Sequence, residues 1–301
     1  MGKSYEIIPG LHRMKIRHLE NCAVELLDID IRNLTDKDYI EIKQLFLEHL
    51  VVVLRNQPLA VVPYAKLISR IGTIANWGQC YWNTLGKENH APEGPVDPFT
   101  FQGRDIDFPV QRVTGKKING RHTGIFGTGK LDWHCNMNGP DRARGVALQG
   151  VSPAVKGTST SWMDTTLAYA AMSNELKARC QGVVGRYEYA PEIWAEGLPP
   201  DQYEDMLRNK DDFYEMPLIN ISECGKPGLY FHVHNKCSFP TDPGLLEVLK
   251  EHCFKSEFIY KHEWEVGDIV ISDQLITLHK RDQDDQEVLT KRVLHRYTFT
   301  F

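Results

Sequence analysis

A mainly β chain with supporting helices, an α+β class fold, is what this sequence predicts, and three observations carry the prediction. Val51-Val52-Val53-Leu54 is an unbroken β-branched run of the kind found in strands buried on both faces, stopped at Pro58. Val293 to Phe301 alternates strictly between inward and outward character, as a half-buried strand does. The last third of the chain returns repeatedly to short strands, with Gly267-Asp268 as the turn between two of them.

The elements follow in chain order. Leu27, Ile29 and Ile31 alternate within residues 22–31, which predicts a strand. Thr35 is placed as a helix N-cap, with Asp36 and Asp38 in the first turn, where the helix dipole favours negative charge. Ile42, Leu45, Phe46 and His49 share one face of that helix. The buried strand at 51–58 comes next, and then a helix over about 62–71 ending at Gly72. Residues 73–120 are rich in Gly, Pro, Asn and aromatics with little periodicity, which reads either as a lid over a site or as a static surface meander. Gly124-Ile125-Phe126-Gly127-Thr128-Gly129 has the look of a dinucleotide loop, but no strand-loop-helix unit with a downstream acid accompanies it, so that reading is rejected. Strands are predicted at 145–151 and 159–162. Asp164 then opens a helix to about 178 that turns Leu167, Ala171 and Leu176 inward. Residues 194–216 are acidic and irregular. A strand at 228–234, a helix near 243–253 and strands across 264–273 complete the run to the C-terminal strand. There is no repeat, low-complexity tract or linker, so one domain over 1–301 is expected, with a lid-like insertion at about 73–120.

Composition narrows the function. Hydrophobic residues at 42% and charged residues at 25% are ordinary for a globular chain with a real core. The formal charge of −5 leaves no basic footprint for nucleic acid. No run approaches the roughly 20 apolar residues of a membrane span, and the start of the chain has no apolar signal core, so a cytoplasmic protein without membrane contact is expected. Seven scattered cysteines without a C-x-x-C pair favour reduced thiols over disulfides or structural zinc. A homo-oligomer stays open.

The chemistry centres on Leu131-Asp132-Trp133-His134-Cys135-Asn136 and a distant partner, His279. On a strand, residues i and i+2 point to the same face, so one metal can touch both His134 and position 136. A second histidine from far down the chain then makes a two-histidine-one-carboxylate triad, the open site of non-haem iron oxygenases. The carboxylate position here is Asn136, which can offer only a neutral carbonyl oxygen. His232-x-His234 is a rival pair by spacing, and Cys135 points away from the site if the strand is regular.

Five pieces in order give the chain a resemblance to the taurine dioxygenase (TauD/TfdA-like) family of Fe(II)- and 2-oxoglutarate-dependent oxygenases. They are Trp133-His134-x-Asn136, Thr160-Ser161-Trp162, Trp264-x-x-Gly267-Asp268, Asp273-Gln274-x-x-x-x-His279 and Arg292-x-x-x-Arg296. The resemblance implies a double-stranded β-helix (jelly-roll) core buttressed by helices. It further implies Fe(II), 2-oxoglutarate and O2 as cofactor and co-substrates. His134 and His279, with Asn136 at the third ligand position, match the metal ligands and catalytic centre. Arg292 matches the arginine that holds the distal carboxylate of 2-oxoglutarate, and Thr160 the hydroxyl that assists it. Arg296 matches a residue that faces the primary substrate, with Trp133 beside the site, where packing is its other reading. The implied reaction is hydroxylation of a C–H bond of a small polar molecule, an amino acid or amine being the preference. That preference rests on the acidic loop Asp282 to Glu287 and on Arg142, Arg144 and Arg296. Asn136 admits a weakly ligating amide or a site filled by water or an anion, a halogenase-like vacancy, a deliberate exchange of Asp for Asn, or a non-catalytic relative.

Overall fold

The computed structural model describes residues 14–74, 110–118, 121–122, 126–127, 130–136, 143–188, 213–234, 236–283 and 285–300. Most of the lid-like segment and residues 189–212 lie outside the described residues, as does Arg142.

Two sheets face each other. Their strands are β1 (Lys15–His18), β2 (Ala23–Leu27), β3 (Val51–Leu54), β4 (Thr73–Ile74), β5 (Gln111–Val113), β6 (Gly145–Gly150), β7 (Ser159–Asp164), β8 (Ile259–Glu263), β9 (Ile269–Asp273), β10 (Thr277–Arg281) and β11 (Leu294–Thr300). The larger sheet runs β1-β2-β3-β9-β6-β11-β4 with β5 also paired to β11; the smaller runs β8-β7-β10. Among these pairs only β2 with β3 is parallel. Arrangement and content are those of the jelly-roll class the resemblance implied.

Alternation along the strands builds the layers. Val51, Val53, Val146, Leu148, Val270 and Leu294 of the larger sheet meet Trp162, Tyr260 and Trp264 from the other side, forming the core between the sheets. The opposite face of the larger sheet carries Val52, Leu54, Ala147, Ile271, Tyr297 and Phe299. Two helices, α1 (Asp36–His49) and α2 (Val61–Ile71), cover it. With both faces covered, β3 has no reason to alternate polar and apolar residues, which is why it reads as a continuous run. A third cluster, including Trp133, Cys135, Met163, Tyr230 and Leu278, fills the outer side of the smaller sheet against α3 (Thr165–Ala170), α4 (Asn174–Cys180) and α5 (Leu245–Cys253).

Several expectations are corrected. The strand at 22–31 ends at Leu27, because Asp28 turns into the left-handed region at φ 58°. The helix at 164–178 is two helices: Ser173 caps α4 by accepting from the Leu176 N–H at 3.1 Å, and Leu167 and Ala171 lie exposed while Ala168, Met172 and Cys180 turn inward. A strand spans Phe213–Pro217, within the stretch expected to be irregular, and Pro227–Leu229 is the only strand of the predicted 228–234 segment. Trp264 lies beyond β8 at the corner that leads into β9.

Candidate active site

The histidines meet because their strands do. His134 and His279 form an antiparallel bridge, each backbone N–H donating to the other's carbonyl at 2.9 and 2.8 Å, so both side chains leave the same face side by side. Their ring centroids are 4.3 Å apart. Nδ1 of His134 donates to the Asp132 carbonyl at 2.7 Å, which fixes the tautomer and leaves the Nε2 lone pair free. Nε2 of His279 lies 3.0 Å from Nδ2 of Asn136, and its Nδ1 is buried without a hydrogen-bond partner. Burial lowers the basicity of both rings, with His279 itself adding to the effect on His134 and Arg296 to that on His279, which falls to about 3. Both imidazoles are therefore neutral at physiological pH, the form that binds a metal.

Residues on the same face extend the site. Across the β7–β10 ladder Trp162 opposes His279 and Thr160 opposes Arg281. The Trp162 and His279 rings stack with centroids 6.4 Å apart. Thr160 Oγ accepts from Trp264 Nε1 at 3.0 Å, so its own proton is left to donate elsewhere. Trp264 is held at its corner by Asp268, which is nearly inaccessible and accepts from His262 Nε2 at 3.1 Å and from the Glu265 N–H at 3.0 Å, paired also with Arg55. Burial alone would raise that carboxyl, but these hydrogen bonds and the Arg55 charge hold it below its usual range. Arg292, at the end of α6 (Gln286–Lys291), is buried with its Nε unpartnered, and burial with the nearby Arg281 charge lowers its pKa to about 9. A buried guanidinium left with an orphan donor is a site for an anion.

Other candidates go elsewhere. Trp133 points away from the histidines, stacked on Phe254 at 5.5 Å with Lys280 over its ring, so its placement beside the substrate is corrected to packing: adjacent strand residues take opposite faces. Cys135 lies on that outer face too, near His232, whose ring sits among Tyr187, Tyr214 and Tyr230. His234 accepts from the Asp132 N–H at 3.3 Å, beside the His134 ring, so the two members of the rival pair do not converge. Arg144 is engaged by Glu223 and Asp273. In the acidic loop, Asp282 accepts from the Ser159 and Ser161 hydroxyls and Asp285 caps α6, which are structural duties. Arg296 reaches the site from β11: Nη2 donates to Asn136 Oδ1 at 2.8 Å and Nη1 to Gln111. Gln111 carries no sequence signal of its role; Gln274, which accepts from the Asn136 N–H at 2.7 Å, lies in the Asp273-Gln274-x-x-x-x-His279 motif, whose spacing does not show this contact.

Among the described residues no three His, Cys, Asp or Glu side chains gather where they could hold a metal ion. The donor set for such an ion is therefore two imidazoles, one protein ligand short of a triad.

The model of the taurine catabolism dioxygenase TauD, TfdA family matches residues 15–298. An alpha-ketoglutarate-dependent 2,4-dichlorophenoxyacetate dioxygenase of Cupriavidus pinatubonensis is 25% identical over 283 residues, covering 92% of this chain and 93% of that one. Pentalenolactone F synthase of Streptomyces avermitilis is 24% identical over 197 residues, 58% of this chain and 64% of its own. Among solved structures, AAD-2 in complex with Mn(II) and N-oxalylglycine superposes with a TM-score of 0.68 at 21% identity, covering 95% of this chain and 97% of the other. A taurine dioxygenase from Burkholderia xenovorans gives 0.67 at 22% identity, covering 95% and 89%.

Proposed function

Since this chain belongs to the taurine catabolism dioxygenase TauD, TfdA family and is a 2-oxoglutarate-dependent dioxygenase, we propose that it hydroxylates a C–H bond of a small polar molecule within a single oxygenase domain. The observation that carries this reading is the His134–His279 bridge, which sets two neutral imidazoles side by side on the face that also bears Thr160. In this reading His134 and His279 hold the iron that the family implies, and Arg292 and Thr160 hold 2-oxoglutarate. When bound, iron with 2-oxoglutarate and O2 supplies the oxidising power that cleaves the C–H bond.

The chain's own residues do the rest. Arg292 offers a planar donor fork to a carboxylate, and burial strengthens that pairing by excluding water. Trp264 turns the Thr160 hydroxyl so that its proton is available to the same carboxylate. The apolar layer of Trp162, Tyr260 and Leu294 keeps the space behind the histidines dry. With Asp282 and Asp285 engaged internally, the acidic loop offers little to a cationic substrate. Relatives named for 2,4-dichlorophenoxyacetate and (S)-phenoxypropionate support a small carboxylate instead, and Arg296 is a cation that reaches Asn136.

Anaerobic titration with iron(II) and 2-oxoglutarate tests the proposal. A visible charge-transfer band that vanishes in His279→Ala is expected; no band under any condition removes the metal assignment. The amide at position 136 favours a second reading, a halogen-installing reaction. A product carrying chlorine in chloride buffer would establish it.

A further inference from the structure

The Asn136 carboxamide could be oriented two ways, and its neighbours allow one. The reasoning starts from a group that cannot be flipped: the backbone N–H of Asn136 donates to Gln274 Oε1 at 2.7 Å. The other end of Gln274, Nε2, donates to the Asp273 carbonyl at 2.8 Å and to Ser272 Oγ at 3.1 Å, which confirms Oε1 as an acceptor. The Asn136 atom 3.2 Å from that oxygen must therefore be the donor Nδ2. On its far side the amide meets Arg296 Nη2 at 2.8 Å, and arginine only donates, so that atom is Oδ1. A flipped amide would set acceptor against acceptor at Gln274 and donor against donor at Arg296. Nδ2 then aims its second N–H at His279 Nε2, 3.0 Å away. The NH2 edge, not the oxygen, faces His279.

We infer that residue 136 is not a metal ligand in this chain: Arg296 and Gln274 hold the Asn136 NH2 toward the His279 imidazole, and the third protein position is given to a small anion. The inference rests on the two-histidine reading proposed above. The amide donates to His279 Nε2. His134 and His279 would hold an ion through their Nε2 lone pairs, and the Asn136 Nδ2–H would then be left to donate to an anion beside it. A neutral N–H donor beside a cation suits an acceptor carrying negative charge, where an aspartate would repel it. Gln274 Oε1 reinforces this, since a carboxylate at 136 would face it as a second acceptor.

Cobalt(II) binding to the full chain, followed by calorimetry and by its visible spectrum with and without azide, tests the inference. Asn136→Ala is expected to keep the dissociation constant within about threefold, and Asn136→Asp to tighten it at least tenfold. Azide is expected to change the cobalt spectrum of the unaltered chain and of Asn136→Ala. A tenfold or greater loss of affinity in an Asn136→Ala that melts like the unaltered chain makes the amide a ligand and overturns the inference. An azide-insensitive spectrum in the unaltered chain overturns it as well, even where Asn136→Ala cannot be prepared. Cobalt binding unchanged in His134→Ala removes the two-histidine reading itself, a failure distinct from either.

Discussion

At the scale of the residue, the proposed co-substrate cradle is assembled by indirect support. Thr160 is oriented by Trp264, and Arg292 lies buried with an orphan Nε in the field of Arg281. A charge-assisted pair is worth about 1.5–3 kcal/mol, so Arg292→Ala should raise the apparent requirement for 2-oxoglutarate by roughly 10- to 100-fold. An unchanged requirement in steady-state kinetics would remove Arg292 from that role. Trp264→Phe deletes a single neutral hydrogen bond of about 1 kcal/mol, so an increase of about fivefold is expected, with kcat little altered. His134 and His279 stand out as candidates by spacing, and Thr160, Arg292 and Arg296 are candidates through the family resemblance alone. The orientation of Asn136 is legible from neither, because it is set by Gln274 and Arg296, which stand 138 and 160 residues further on.

Elements were legible wherever local chemistry decides them. Thr35 accepts from the Asp38 N–H while Asp38 accepts from the Thr35 N–H, a reciprocal cap written within four residues. Thr35→Ala should lower stability by about 1 kcal/mol, seen as a lower urea midpoint at unchanged slope. The Gly267 corner is legible as a turn but not in its consequence. Its φ is 88°, and a Cβ there would meet the Gln57 carbonyl oxygen at 2.6 Å. Gly267→Ala should therefore cost about 1–3 kcal/mol and also disturb the neighbouring Trp264–Thr160 contact. A midpoint equal to that of the unaltered chain would contradict the strain argument. The helix expected over 164–178 failed for the converse reason: helical propensity ran on through Met172 and Ser173, while Ser173 capped a new start.

For the molecule as a whole, buried histidines set the response to acid. Burial, with a smaller contribution from His234, lowers His232 to about 3, and burial lowers His262 despite the neighbouring Asp268. Unfolded, each takes a proton near pH 6.5. Between that pH and the lowered folded value the unfolded chain binds more protons, so stability falls as pH falls. Each site contributes at most about 1.4 kcal/mol per pH unit in that window. The melting temperature should be level from pH 8 to 7 and drop steeply from 6.5 to 5, with His232→Gln reducing the slope; a flat profile would show that these rings protonate without unfolding. No helix among the described residues is long and apolar enough to cross a membrane.

The sequence by itself determined what depends on neighbours along the chain: the β-branched run of β3, the alternation of β11, the Thr35 cap and the same-face spacing of His134 and residue 136. It also carried the family through motifs kept in order. Only the tertiary structure decided which strands adjoin, and with that everything that lies across strands. That includes the His134–His279 bridge and the engagement of Asp282 and Arg144 by distant partners. It also includes the amide edge that Asn136 presents. The reason is physical: a side chain's direction follows from its own strand's period, whereas its hydrogen-bond partner follows from the register between strands, which loops and packing settle together.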